Sequence, residues 1–318
     1  MARDERFDII KGILIILVVL GHALNIEFLD DSWNCGLFNI IYCFHMPVFI
    51  FISGYFFHSS LQRNFIEVAT SKFHRFILPS VFCSGLILLG YVLILSFQNL
   101  KISKIISISI SYWYLICIYL LSLIYYIAIK DGRFACLRKT CVIGVFVIGL
   151  IAYYKYPIMQ IIDCQTTRMF LCFGSGIIFR MRPHWFIGNI IPLIIFAILI
   201  IVANRYIYGY NLTSYSPLIR IGDGLSWCLV MFTVLYYFAS HIKFNFFTKH
   251  LIEAGNNSLA IYLIHMVFYN ITLFLNISID KWSYISLLYF VYLYIITWFI
   301  IFLAKKYVSN NYLFLIGL

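Results

Sequence analysis

A lysine and a histidine bracket the apolar run KGILIILVVLGH, Lys11 at its start and His22 at its end. At about 100° per residue, this separation brings both side chains to one face of a helix. At about 1.5 Å rise per residue it sets them roughly 16 Å apart along the axis. Asp8 lies three residues before Lys11, on nearly the same face. Imidazole titrates near neutral pH, so a histidine there can take up or release a proton. A cation and an imidazole in an apolar run are costly in lipid unless they line a cavity. The same residues also fit a first membrane helix with a snorkelling Lys and a His bonded inside the bundle.

Two further histidines fall at membrane depth, His45 in FHMPVFIFISGYFF and His265 in GNNSLAIYLIH. Pro47 removes a backbone donor and should bend its helix, and Ser53, Gly54 and Tyr55 make a small polar break after it. Helix packing would explain each of these features singly. Three intramembrane histidines with hardly any carboxylate beside them favour a polar cavity. In SKFHRFILP, read as a loop before Pro79, Lys72, His74 and Arg75 cluster. They fit a phosphate cradle on the cytoplasmic side, or plain positive-inside charge. Trp113, in YWYL, fits an aromatic belt at the outer interface. Arg168 precedes the small-residue run FGSG at 173–176; it could bind an anion or snorkel, and the run suggests tight packing. Gly255 to Ser258 read as the cap of a helix start at the cytoplasmic edge.

The elements that must position these side chains are membrane helices. The 318 residues are 63% hydrophobic and only 11% charged, against about 25% charged in a soluble domain. Ten spans are expected, near 9–28, 36–57, 76–97, 112–129, 141–155, 167–179, 185–203, 217–240, 257–276 and 284–304. Alternate loops hold sixteen of the 23 Lys and Arg, which places those loops and both termini in the cytoplasm. The +11 net charge is therefore a topology signal and not a nucleic-acid footprint. The expected fold class is all-α, a polytopic transmembrane bundle forming one domain over 1–318. Residues 98–111 alternate polar and apolar and read as an interfacial segment on the outer face. Residues 1–24 read as an uncleaved first helix, not a signal peptide. The nine Cys form no CxxC or Cys/His cluster, so neither a metal nor a disulfide framework is expected.

Four stretches, in order, carry a resemblance to the integral-membrane acyltransferase family 3, which includes glycan O-acetylating enzymes. FDIIKGILIILVVLGH resembles the first-helix pattern of a basic residue, ten residues, then His, at Lys11 and His22. FHMPVFIFISGYFF resembles the second-helix motif. KFHRFILP resembles the basic R-x-x-R-type segment before a Pro, here Lys72 and Arg75. GNNSLAIYLIH resembles a late G-x-x-S-x-x-x-Y-x-x-H helix. Lys stands at positions 11 and 72, where the family often carries Arg. The resemblance covers about residues 6–304, and the extra periplasmic esterase-like domain of some longer relatives is expected to be absent.

The resemblance implies an acyl-CoA-dependent O-acyltransferase of a bacterial cytoplasmic membrane. Its donor would be acetyl-CoA, its acceptor a hydroxyl of a cell-surface glycan or its lipid-linked precursor, and no metal would be needed. On this reading His22 is the base, while Lys11, Lys72 and Arg75 hold the CoA phosphates or orient the thioester. Ser53 and Tyr55 let the donor pass close to the backbone. His45 and His265 line the acceptor pocket, with Trp113 and Arg168 as further acceptor contacts. Membrane lipids are the other expected partners. A transporter or flippase for a glycan precursor is the alternative, since polar residues at mid-depth suit it too. A structural subunit is a third reading.

Overall fold

The computed structural model describes residues 4–27, 35–95, 108, 111–130, 159–209, 217–275 and 283–318. Every regular element among them is helical, as expected. The first, α1 (Glu5–Glu27), carries Glu5 and Asp8 in its first turn, where carboxylates meet the positive end of the helix dipole. Next, α2 (Gly36–Phe57) runs through Pro47 and ends in a 3-10 turn, His58–Gln62.

Asn64 then starts α3 (Phe65–Lys72). Its Oδ1 accepts from the Glu67 amide at 2.8 Å and its Nδ2 donates to Glu67 Oε1 at 2.6 Å. A π-helical turn, Phe73–Ile77, leads directly into α4 (Leu78–Leu95). Pro79 has no N–H for the Arg75 carbonyl four residues back, and its ring crowds that carbonyl. The wider turn relieves the clash: the Leu78 amide reaches the Phe73 carbonyl, five residues back. SKFHRFILP, expected as a loop, is thus helical throughout.

The remaining helices are α5 (Trp113–Ile129), α6 (Met159–Met181), α7 (Pro183–Gly188), α8 (Ile190–Tyr208), α9 (Pro217–His241), α10 (Phe246–Asn256), α11 (Ser258–Phe274), α12 (Ser283–Tyr307) and the short α13 (Asn310–Leu313). The expected span at 185–203 is broken at Asn189, between α7 and α8. An Asn245–Thr248 capping box opens α10, and the chain bends by 76° into α11. Asn257 at that bend does not cap α11 with its side chain. Its Nδ2 donates to the Glu253 carbonyl, and its Oδ1 accepts from Lys305 Nζ of α12 at 2.9 Å.

Six of these helical stretches are long and apolar enough to cross a membrane: Glu5–Ile26, Gly36–Gln62, Phe65–Leu95, Ile190–Tyr208, Ile219–His241 and Ile285–Tyr307. The bent pair α10–α11 passes the same test as a seventh, and Trp113–Ile129 and Met169–Met181 are shorter apolar helices. The expected span at 141–155 lies outside the described residues. Leu89, Leu93, Phe196, Leu199, Leu288 and Ile295 stand exposed on α4, α8 and α12, as lipid-facing side chains do.

The chain divides into two compact units. One comprises Met1–Ile41, Lys72–Ile116 and Tyr236–Leu318; the other, Tyr42–Ser71 and Cys117–Leu235. Lipid tails are as apolar as Leu, so packing rather than water exclusion holds such helices together. In the first unit α1 is the core, with Ile10, Leu14, Val19 and Ala23 sealed from solvent. A Cβ on Gly12 would strike the main chain of Leu251, and one on Gly255 that of Asp8, so α1 and α10 touch backbone to backbone. The second unit uses the same device between α2 and α6, where Gly54 meets Phe173 and Gly176 meets Phe51.

Candidate active site

Within the first unit, α1 and α11 bring four polar side chains together. The His22 ring lies 5.3 Å from that of His265 and 4.8 Å from that of Tyr269. Asn25, one turn after His22, donates through Nδ2 to the Tyr269 hydroxyl at 2.7 Å. Tyr269 in turn lies one turn after His265. Each helix therefore contributes two groups at a spacing that shares a face.

His265 is sealed from solvent, and its Nδ1 lies 2.7 Å from the Ile261 carbonyl of its own helix. A carbonyl only accepts, so the proton sits on Nδ1 and Nε2 keeps a bare lone pair. Nε2 is buried with no hydrogen-bond partner among the described residues. A buried acceptor left open in an apolar surround is costly, and such groups concentrate where ligands bind. The cluster holds an imidazole that can take a proton, a second held as a neutral acceptor, and a phenol. That set can activate a hydroxyl and steady a developing negative charge.

Lys11 is in the same unit, at the other end of α1. Its Nζ pairs with the buried Asp8 carboxylate at 2.7 Å. Lys72 closes α3 and Arg75 lies in the π-helical turn; both cations approach the Phe76 ring, at 5.6 and 5.7 Å. Trp113 opens α5, half-buried, beside Tyr114.

The second unit holds the other sequence candidates. His45 is buried with its ring 4.9 Å from Tyr42. Ser53 Oγ donates to the Phe49 carbonyl one turn back, and Gly54 is taken up by the α2–α6 contact. The Tyr55 hydroxyl accepts from Arg180 Nη1 at 2.8 Å. Arg168 lies in α6, and its side chain is outside what the structure describes. A buried ion pair, Arg205 with Asp223 at 3.3 Å, also lies in this unit, next to Cys43 and Asn204.

Asn25 and Tyr269 were not singled out from the sequence. The available signal was their place on the faces of the two histidines, three residues after His22 and four after His265.

Residues 4–317 match a family described as an acyltransferase domain. The chain belongs to this acyltransferase family. It is the integral-membrane family that the Lys11–His22 and later motifs resemble. Over 89 residues it is 42% identical to Nodulation protein NolL of Sinorhizobium fredii and 39% identical to Nodulation protein NolL of Mesorhizobium japonicum. Each match covers 27% of this chain and 24% of the relative, so the chain spans about a quarter of the length of these relatives. No solved structure matches the chain.

Proposed function

We propose that this acyltransferase moves an acetyl group from acetyl-CoA to a hydroxyl of a cell-surface polysaccharide or its lipid-linked precursor, in a bacterial cytoplasmic membrane. The His22–His265–Tyr269–Asn25 cluster, with His265 and Tyr269 buried and His22 and Asn25 half-buried, carries the reading. His22 takes the proton of the acceptor hydroxyl as its oxygen attacks the thioester carbonyl. It then returns that proton to the leaving thiolate. His265 stands beside it as a neutral acceptor with its tautomer fixed by Ile261. Lys72 and Arg75, at one turn's spacing, hold the donor's phosphates at the cytoplasmic edge. Lys11, already paired with Asp8, orients the donor and does not act as a proton carrier.

Mass spectrometry of surface glycans from cells with and without the gene tests this. Loss of one acetyl mass increment per modified sugar on deletion, and its return on complementation, is expected. An unchanged glycan profile with altered surface amounts of the glycan would favour transport over transfer.

A further inference from the structure

We propose that Tyr269 is the hydrogen-bond donor to the carbonyl oxygen that becomes negative during acyl transfer. The inference rests on the acyltransferase reading above and adds a catalytic residue to it. Tyr269 is buried, and among the described residues the hydrogen bond from Asn25 Nδ2, at 2.7 Å, is the one at its hydroxyl. A phenol has one proton to give and lone pairs to receive. Since Asn25 occupies a lone pair, the proton remains to be given, and the bond from the amide polarises the O–H toward donation. The ring lies 4.8 Å from His22, so its hydroxyl belongs to the same small volume as the imidazole that takes the acceptor's proton. Within the cluster, His265 Nε2 instead offers a lone pair, which would repel an oxyanion. Tyr269 is thus the group of the cluster suited to meet negative charge.

The step balances as follows. The acceptor oxygen bonds to the acyl carbon while its proton passes to His22, and the carbonyl electron pair moves to oxygen, held by the Tyr269 O–H. The pair then re-forms the C=O bond, the C–S bond breaks, and the proton on His22 goes to the thiolate.

The test measures transfer of labelled acetyl from acetyl-CoA to the glycolipid fraction of membrane vesicles containing the full chain. Tyr269→Phe keeps the ring and removes only the hydroxyl. We expect kcat to fall about 10²–10³-fold, as when one oxyanion donor is removed, with KM for acetyl-CoA changed less than about twofold. Fluorotyrosines placed at 269 should raise kcat as the phenol becomes more acidic, below the pH at which it ionises. A purely structural hydroxyl would not respond in that way. His22→Ala, run in parallel, separates the two ideas. An inactive His22→Ala beside a Tyr269→Phe with near-wild-type kcat, or no response across the fluorotyrosines, overturns the role of Tyr269 alone. An active His22→Ala overturns the underlying reading.

Discussion

Lys11 and Asp8 form an ion pair whose acid is buried, with the Asp8 side chain only 5% exposed. Removing one partner of such a pair leaves an uncompensated charge, at a cost of about 3–5 kcal/mol. Lys11→Met should therefore lower the thermal unfolding midpoint in detergent, and the double change Asp8→Asn with Lys11→Met should restore most of it. If Lys11 also orients the donor, the restored double variant stays poor in acetyl transfer. Full activity in the double variant would reduce Lys11 to a structural partner. The shared face of Asp8 and Lys11 was legible in the sequence because helical periodicity fixes it, and their ion pair shows it. The pairing of Asn25 with Tyr269 was not, because it joins residues 244 positions apart and depends on how α1 packs on α11. One tyrosine among 25 gives no local sign of such a role.

The continuous helix formed by α3, the π-helical turn and α4 places Lys72 and Arg75 on one helical element. A phosphate grip there should be well ordered, and its loss should appear in donor binding. Lys72→Ala and Arg75→Ala are expected to raise the KM for acetyl-CoA several-fold with kcat little changed. Dephospho-CoA donors should lose less than the intact donor. An unchanged KM in both variants would return these residues to topology signalling. The long apolar spans were readable because about 20 apolar residues admit few alternatives. The helical nature of SKFHRFILP was obscured by its polar residues and by Pro79, which reads as a stop. The structure accommodates the proline with a wider turn. The stretch Gly255 to Ser258 likewise reads as the cap of a helix start, whereas the Asn257 side chain is held across the bend by Lys305. Neither outcome follows from local spacing.

For the whole molecule, the asymmetry of basic residues predicts an orientation with both termini in the cytoplasm and an even number of spans, ten by the sequence reading. Reporter fusions after residues 63, 133 and 243 should report cytoplasm, and fusions near 31, 104, 160, 208 and 280 should report the outside. A C-terminus found outside would require an odd number of spans and overturn the ten-span reading. With that orientation, α1 would lead from Lys11 near the cytoplasmic edge to His22 deeper in the bundle, so the proposed donor contact and the proposed base would share one helix. Everything proposed for the site converges on the imidazole of His22. The direct test is acetylation by wild type, His22→Ala and His22→Gln at matched membrane levels. Glutamine retains polarity and similar reach but cannot accept a proton at neutral pH. We expect both variants to lose about 10²–10⁴-fold or more in transfer, the range of general acid–base catalysis. Near-wild-type acetylation by His22→Gln would contradict the assignment of His22 as the base.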